Sequence, residues 1–600
     1  MIEKTETLSR NPEEIVRKVL AGRGITGDEA VREYLSEKPK LTYDPLLLPD
    51  MEAAADFLTG ALQTGKKICV YGDYDVDGVT GTALLVSFLR GLWRDKGTVP
   101  AAHYIPSRIE EGYGLNKAAL RTIRERGADV VVTVDCGSVS IEEARFAREI
   151  GLGILITDHH EPRSGPLGTD AWDKRRLCRP APGFVSQQLP DCFVVNPKRE
   201  GSLYPFTGLC GCAVAFKLAC AVYDRLAAEG TRDSLPPRAW LTGFVDLVAL
   251  ATVADVVPLI DENRTFVKYG LAQLRKGRRP ALNALFEAAE MSVATADAHA
   301  LAFGIAPRIN AIGRLGDASE GVELFITGDE ARRREIAADM NECNAVRREI
   351  QNRCFADCME LAAAAPGPFL LLRPAFAHEG VSGIVAGQVR EKTGLPCAVL
   401  AEANGAGQGD ALLKGSARSA GRLDLITLLR RHEALFERVG GHRAAAGFTI
   451  CEENEEALRE ALCRDLSELL ETDETLLTDE RAPDIALPAA EVDLGLARAL
   501  SRMAPFGAGN PEPLVAMRLR ADQIEHIRTM GAAGNHVRFD AAGIPAVWFG
   551  GAAMLEGQLR AVAGQKAAML EMTGTPEENV WNGASGLQFS VATLRLLAVQ

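Results

Sequence analysis

Three acidic residues lie two positions apart, directly after a short apolar segment. The segment Lys67–Val70 leads into Asp73, Asp75 and Asp77. Three carboxylates this close repel one another and raise each other's pKa unless a cation is nearby. A turn that favours Asp and Gly accounts for one or two such acids but not for three. The spacing therefore predicts a metal site.

Further acids and two histidines follow other apolar segments. Asp135 ends VVVTVD, Asp255 ends LVALATVAD, and ILITD ends in Asp158 with His159 and His160 after it. One imidazole can face a metal and the other the substrate, while Asp158 orients a ring through its N–H. Oxygen and imidazole donors without thiolate suit Mg²⁺ or Mn²⁺ better than Zn²⁺. We expect two ions about 3.5–4 Å apart, an arrangement that serves phosphoryl displacement.

Alternating strands and helices must bring these residues together. Short β-branched segments from residue 66 alternate with helical segments predicted at 78–93, 115–126 and 140–149. This alternation is typical of a parallel, doubly wound sheet. Ligands of such sheets bind beyond the carboxyl ends of the strands, which is where these segments become acidic.

The rest of the chain predicts further units. Residues 161–190 are rich in Pro, Gly and Arg and indicate a surface loop or insertion, and residues 327–363 predict a long helix that bridges two domains. A second α/β unit begins at residue 369. Short strands and Gly-rich turns over 485–600 favour a small β-barrel.

Length and composition fit a soluble protein of several domains. The chain has 600 residues, 47% of them hydrophobic, and a formal net charge of −14. That charge argues against a protein that coats nucleic acid indiscriminately. Residues 264–280 nevertheless hold lysines and arginines without any acid, so a local backbone-binding surface and an ordinary solvated helix face both remain open.

We expect the protein to act in the cytoplasm without a membrane contact. The longest apolar segment, 241–260, contains Asp246 and Asp255, which a bilayer would not accept. The first residues are polar and give no apolar signal sequence. The 13 cysteines form no C-x-x-C pair and indicate reduced thiols in cores.

Several motifs resemble those of a known family. GDYDVDG, VDCGS, TDHH and ATVADVVPL resemble the four ordered motifs of the DHH phosphoesterase superfamily, and VGGHRAAAGF resembles the signature of its DHHA1 companion domain. APRINAIGRL, KGSARS and APFGAGNPEP are similar to segments of the RecJ family of single-strand-specific 5′-to-3′ DNA exonucleases. The resemblance runs from about residue 10 to the C-terminus.

The resemblance implies a ligand set for two divalent cations, Mn²⁺ or Mg²⁺. Asp73 and Asp75 would hold one ion, Asp135 would bridge, and the second ion would be held by Asp77, His159 and Asp255. His160, oriented by Asp158, would donate a proton or contact phosphate on the leaving side. The remaining implied residues contact DNA: Arg308 at the scissile phosphate, Ser416 and Arg418 at the next ones, and Gly440, Gly441 and His442 closing over the phosphate from the second domain.

The resemblance implies an α/β fold, with two α/β domains and a C-terminal OB-fold β-barrel. We expect an N-terminal helical cap (1–50), a doubly wound parallel-sheet DHH domain (51–270), a helical linker with the long connecting helix (271–365), a second α/β DHHA1 domain (366–480) and an OB-fold domain that binds single strands (481–600). In that barrel Phe539, Trp548 and Phe549 are candidates for base stacking, beside His536 and Arg538, although a strand also needs core aromatics.

The implied function is release of 5′-mononucleotides from single-stranded DNA in recombination and repair. Partners would be single-stranded DNA, a helicase and a single-strand-binding protein, and the chain would be a monomer. Two alternatives stay open: a DHH-family oligoribonuclease or nucleotide phosphatase, and a non-catalytic replication scaffold. The sequence departs from the family pattern in a longer stretch between His160 and Asn196 and in Ala377, where the family usually has Trp.

Overall fold

The computed structural model describes most of the chain. The described residues are 11–92, 101–108, 111–165, 186–403, 411–478, 481–531, 534–562, 565, 568–581 and 583–597. Most of the predicted 161–190 insertion, including Cys178, therefore lies outside them. Within the described ranges, no helix combines the length and the apolar character needed to cross a membrane.

The first domain is built on a five-stranded parallel sheet. Its strands, in chain order with a small hairpin (β5 and β6) inserted, are β1 Ile68–Gly72, β2 Ala101–Tyr104, β3 Val130–Val134, β4 Gly153–Thr157, β5 Arg163–Gly165, β6 Ser186–Gln188 and β7 Phe193–Val195. The strand order is β2-β1-β3-β4-β7, and all four pairings are parallel. The order reverses between β1 and β3, which makes their carboxyl ends the topological switch point.

Helices cover both faces of this sheet, as the doubly wound prediction requires. The helices of this part of the chain are α1 Pro12–Gly22, α2 Asp28–Leu35, α3 Met51–Gln63, α4 Val76–Gly91, α5 Lys117–Glu125, α6 Ile141–Glu149 and α7 Gly211–Leu226. On one face α3, α4 and α7 share a core with Ile68 and Val70, and on the other α5 and α6 share a core with Cys69 and Tyr71. Alternate residues of β1 thus face opposite layers.

A helical region leads to the second domain. It contains α8 Val245–Ala254, α9 Asp261–Leu274, α10 Pro280–Ala288, α11 Ala306–Leu315, α12 Ser319–Ile326 and α13 Glu330–Ala364. The long helix predicted at 327–363 is confirmed as α13, which has 35 residues. The Asp329 side chain accepts from the N–H groups of Ala331 and Arg332 and so caps its N-terminus.

The second domain is a smaller α/β unit. Its elements are β8 Leu370–Leu372, α14 Glu379–Thr393, β9 Cys397–Glu402, β10 Leu412–Arg418, α15 Leu425–Arg430, β11 Arg438–Gly441, β12 Ala445–Cys451 and α16 Glu455–Thr472. The strand order is β11-β12-β10-β9-β8, with β8 and β9 parallel and the other pairs antiparallel. Helix α14 packs beside α13 and so joins this domain to the long helix.

The C-terminal domain is a seven-stranded sheet. It comprises β13 Ile485–Leu487, α17 Leu494–Ser501, β14 Val515–Arg520, β15 Ile524–Met530, β16 His536–Ala541, β17 Ile544–Trp548, α18 Ala552–Ala561, β18 Met569–Trp581 and β19 Ala584–Leu596. Its strand order is β13-β14-β18-β19-β17-β16-β15.

The N-terminal helices differ from the predicted cap on the domain that follows them. Val16 and Leu20 of α1 lie in the core of the C-terminal domain with Leu496 and Leu500 of α17. The reason is that the apolar face of α1 packs against the apolar residues of the C-terminal domain. Contacts with the first domain come later in the segment, where Leu48 enters the first core.

Candidate metal centre

The first acidic loop is folded by its own middle residue. Asp73 follows β1, and Asp75 caps α4 by accepting from the N–H groups of Asp77 and Gly78. This cap begins the helix within the acidic motif, so Asp77 lies in the first turn of α4 and is fully buried. Both oxygens of Asp77 accept from the start of α7, Oδ2 from Gly211 N at 2.6 Å and Oδ1 from Cys212 N at 2.7 Å.

Asp135 is held in an unusual backbone conformation next to that helix. It follows β3 with φ of +64°, in the left-handed region that non-glycine residues rarely adopt. Such strain persists only where the surroundings enforce it, and it is common at functional sites. The start of α7 approaches so closely that a Cβ on Gly211 would lie 2.5 Å from Asp135 Cβ.

His159 joins the carboxylates of three distant segments. Its Nε2 atom lies 3.0 Å from Asp135 Oδ1, 3.5 Å from Asp255 Oδ2 and 3.8 Å from Asp77 Oδ2. Asp255 follows α8 as its C-cap, so it comes from a helix end and not from a strand. The acids and imidazoles predicted to meet at the sheet edge are therefore brought together.

The donor atoms form three overlapping groups. Within each group the ligand atoms lie within 4.8 Å of one another: Asp73, Asp75 and Asp135; Asp77, His159 and Asp255; Asp135, His159 and His160. Asp135 belongs to two of the three groups, and His159 links one of these to the group that contains Asp77 and Asp255.

The cluster combines buried negative charge with several ligand atoms that have no hydrogen-bond partner among the described residues. Such a combination is unfavourable in a folded core unless a cation is bound. Among the described residues, buried Asp73 Oδ1, Asp135 Oδ1 and Asp255 Oδ2 have no hydrogen-bond partner, and neither ring nitrogen of His159 has one. Burial, and then the charge of Asp77, raises the pKa of Asp255 to about 9. Burial lowers the pKa of His159 to about 3, which leaves the imidazole neutral and able to ligate. Oxygen and imidazole donors with these properties fit hard divalent cations.

His160 is oriented by Asp158. Its Nδ1 lies 2.9 Å from Asp158 Oδ1, and the same carboxylate accepts from the N–H groups of Ser138 and His159. Burial opposes a charge on the His160 ring, but the hydrogen bond and charge of Asp158 outweigh it and raise the pKa of His160. The histidine is thereby biased towards its protonated form.

Tyr113 is a site residue that sequence reasoning missed. Its hydroxyl donates to the Asp135 carbonyl at 3.1 Å and lies 3.0 Å from His160 Nδ1. It belongs to the loop between β2 and α5, where no spacing pointed to it. The N–H groups of Gly211 and Cys212 were missed as well, because backbone donors leave no mark in a sequence.

Arg308 lies on a helix that touches the acidic loop. On the same helix, α11, the Asn310 side chain accepts from Val76 N at 3.1 Å and so fixes α11 against the start of α4. Arg308 itself donates to Asn341 Oδ1 at 2.9 Å and to the Gly304 carbonyl. These contacts hold its guanidinium between α11 and α13.

The five residues predicted in the second domain share one end of its sheet. Ser416 and Gly440 both pair with Gly447, from opposite sides of β12, and Arg418 lies 3.4 Å from Ser416 Oγ. His442 follows β11 and is exposed, and its N–H donates to the Ala445 carbonyl. At Gly441 φ is +145° and a Cβ would lie 2.5 Å from the Ala445 oxygen, so only glycine fits there.

The C-terminal aromatics divide into core and surface. Phe539 and Trp548 are 1% and 3% exposed and belong to the core, whereas Phe549 is 65% exposed. The Phe549 ring lies 5.5 Å from the His536 ring. Phe549 is therefore the one of the three candidates that is available to a base.

Part of the basic segment 264–280 serves structure. Arg264 is buried, lies 3.8 Å over the Tyr34 ring, and donates to the carbonyls of Met503 and Ala504. Arg279 pairs with Asp246 at 2.7 Å. Neither guanidinium is free to track a nucleic-acid backbone.

Three family models match the chain in order. They are described as the DHH family N-terminal domain over residues 67–252, the DHHA1 domain over 367–468, and the RecJ OB domain over 483–593. The matches agree with the predicted α/β architecture: a doubly wound DHH domain, a DHHA1 domain and an OB domain.

Relatives that match most of the chain indicate the same family. The chain is 31% identical to the single-stranded-DNA-specific exonuclease RecJ of Bacillus subtilis, over 98% of this chain and 68% of that protein. It is 32% identical to the enzyme of the same name from Salmonella typhimurium, over 86% and 85%. The crystal structure of RecJ in complex with Mn²⁺ from Thermus thermophilus matches 98% of this chain and 78% of that one, with 29% identity and a TM-score of 0.73. With these identities and coverages, the chain belongs to the RecJ family.

Proposed function

We propose that this protein is a 5′-to-3′ exonuclease specific for single-stranded DNA, which releases 5′-mononucleotides by phosphodiester hydrolysis. The observation that carries the proposal is the convergence of Asp77, Asp135, His159 and Asp255 at the switch point of the first sheet. The relatives from Bacillus subtilis and Salmonella typhimurium are named single-stranded-DNA-specific exonucleases, which agrees with the proposal.

The ligand assignment follows the donor groups. Asp73 and Asp75 would hold one cation, and Asp77, His159 and Asp255 would hold the other, with Asp135 shared between them. The grouping of their ligand atoms supports this assignment. When bound, Mn²⁺ or Mg²⁺ would neutralise charge on the phosphate and would lower the pKa of water, so that hydroxide becomes available at neutral pH. The α7 N-terminus fixes Asp77 through two backbone N–H groups, so its carboxylate needs no rearrangement when substrate arrives.

His160 acts on the leaving side of the reaction. Asp158 holds its ring at 2.9 Å and favours the imidazolium, which can donate a proton to the leaving oxygen or a hydrogen bond to phosphate. The Tyr113 hydroxyl lies 3.0 Å from the same ring nitrogen, Nδ1, and adds a second contact to it.

Cationic and small residues contact the single-stranded DNA. Arg308 neutralises the scissile phosphate, Ser416 and Arg418 bind the following phosphates, and Gly440, Gly441 and His442 close over the phosphate from the second domain. The clustering of the five second-domain residues at one end of their sheet supports this path. A planar guanidinium suits the bidentate recognition of phosphate better than an ammonium group.

The alternatives explain fewer observations. A small-substrate phosphoesterase leaves the RecJ OB domain match at 483–593 without a role. A non-catalytic scaffold leaves unexplained why all six predicted ligands lie in overlapping donor groups.

We further propose that the enzyme works as a monomer in the cytoplasm in DNA recombination and repair, where a helicase and a single-strand-binding protein supply its substrate. The domain boundaries proposed from sequence, 51–270, 271–365, 366–480 and 481–600, enclose the three matched family domains.

A labelling experiment tests the proposal. With Mn²⁺, single-stranded DNA labelled at the 5′ end should release labelled mononucleotide at once, whereas DNA labelled at the 3′ end should shorten progressively. Duplex DNA with blunt ends should persist. Activity confined to dinucleotides would indicate an oligoribonuclease-like enzyme, and inactivity on every substrate would indicate a scaffold.

A further inference from the structure

Four consecutive buried polar residues, Glu262 to Thr265, follow Asp261 at the start of α9, just after the loop that follows Asp255. All four are at most 4% exposed. Glu262 binds Lys217 and the hydroxyl of Tyr204, and Arg264 binds carbonyls of the C-terminal domain. Other segments thus bind the side chains of Glu262 and Arg264, whereas Asn263 binds the loops at Gly208 and Pro258.

Asn263 joins two loops that are distant in sequence. Its Nδ2 donates to the Gly208 carbonyl at 2.6 Å and to the Pro258 carbonyl at 3.0 Å. In the described part of the chain its Oδ1 has no hydrogen-bond partner. The amide therefore acts only as a double donor. Its loss would leave the two partly buried carbonyls without this hydrogen bond, which costs free energy of folding.

Both loops end at the metal centre. The first runs from Gly208 to Gly211 and Cys212, whose N–H groups fix the Asp77 carboxylate. The second runs back from Pro258 through Val256 to Asp255. Val256 has φ of +57°, a strained conformation for a β-branched residue, so this loop needs outside support to keep its shape.

The loop has one more support, farther from Asp255. The Leu259 N–H donates to the Ala508 carbonyl at 2.7 Å. That bond fixes Leu259, near the start of α9. Asn263 instead fixes Pro258, and it also binds Gly208 in the loop that leads to the Asp77 contacts.

We propose that Asn263 is a positioning residue for the metal centre, which sets the distance between the Asp77 and Asp255 carboxylates by holding Gly208 and Pro258 on one amide. The inference rests on the proposed function for its metal ligands. Among the described residues, the Asn263 side chain hydrogen-bonds to Gly208 and Pro258 and to none of the predicted metal ligands. We therefore expect its loss to change metal affinity and not DNA binding. Groups that orient ligands in this way typically change metal affinity by about 10–100-fold when they are removed.

Calorimetric titration of the metal-free protein with Mn²⁺ tests the proposal without relying on turnover. Asn263→Ala should raise the dissociation constant for Mn²⁺ about 10-fold or more. In activity assays it should lower kcat at limiting Mn²⁺, recover much of it at excess Mn²⁺, and leave KM for single-stranded DNA unchanged. A purely structural role would lower the melting temperature without this metal-dependent recovery.

Asn283 offers a matched control. It is also an asparagine whose Nδ2 braces a loop, at the Gly277 carbonyl (2.8 Å), and whose Oδ1 is unpaired within the described residues. Asn283→Ala should keep Mn²⁺ affinity within about twofold of wild type, because its loop carries no predicted ligand. Asn263→Leu, which fills the same volume without donors, replaces the alanine variant if that one does not fold.

The outcomes separate the two proposals. A folded Asn263 variant with wild-type Mn²⁺ affinity overturns the positioning role while leaving the nuclease proposal intact. A wild-type protein that binds no Mn²⁺ overturns the metal centre itself.

Discussion

Nε2 of His159 and Oδ1 of Asp135 lie 3.0 Å apart, at the ends of two adjacent parallel strands. The pair meets there because β3 and β4 end side by side and because Asp135 turns into the left-handed region, which aims its carboxylate at the imidazole. The same carboxylate belongs to donor groups on both sides. This placement is the basis for the proposed bridging role of Asp135.

Asp135→Ala should reduce turnover on single-stranded DNA by at least about 10³-fold, since a carboxylate that serves both cations cannot be replaced by its neighbours. Steady-state hydrolysis at saturating Mn²⁺ measures the effect, and circular dichroism checks the fold. Retention of more than a tenth of wild-type turnover would defeat the bridging assignment.

Gly211→Ala should impair catalysis through geometry alone. The new Cβ would lie 2.5 Å from Asp135 Cβ, so either the start of α7 or Asp135 must move, and Asp77 loses its N–H donors if α7 moves. We expect at least about a 10-fold fall in kcat, in line with the loss of groups that orient metal ligands. Gly243→Ala is the control, because nothing lies within 4 Å of its Cβ position. Equal activity of the two variants would contradict the expected coupling.

Sequence reasoning succeeded where chemistry is concentrated in short motifs. The acidic loop, the two histidines and the parallel sheet were predictable, because strand periodicity and clustered charge are local signals. Tyr113 and Asn263 were not predictable, since each acts through partners far along the chain. The same holds for α1, whose apolar face gives no hint that it packs on the C-terminal domain.

The metal-free protein should lose stability as pH rises from 7 to 9. Burial and the charge of Asp77 raise the folded-state pKa of Asp255 to about 9, against about 4 in the unfolded chain. A raised acid pKa means that the folded form binds the proton more tightly, so its contribution to stability is complete below about pH 4 and is lost as pH approaches 9.

The melting temperature of the metal-free protein measures this loss. It should fall more between pH 7 and 9 in wild type than in Asp255→Asn, which cannot ionise there, and saturating Mn²⁺ should remove the difference by compensating the charge. Identical pH profiles for the two metal-free proteins would show that Asp255 does not titrate in this range.

Arg528 and Arg538 lie directly opposite each other on the antiparallel strands β15 and β16, and both are exposed. Like charges in this position destabilise a sheet by about 0.2–1 kcal/mol, and a bound phosphate would relieve the repulsion. Arg538→Gln should therefore raise the melting temperature slightly while it weakens binding of a long single strand and reduces the salt dependence by about one ion. Fluorescence anisotropy across a salt series measures both binding effects.

Arg518→Gln is the control, since Arg518 is also exposed on a strand of this sheet but lies 3.7 Å from Glu571. If the Arg538→Gln variant binds DNA as tightly as wild type at every salt concentration, the Arg528–Arg538 pair does not contact the bound DNA strand.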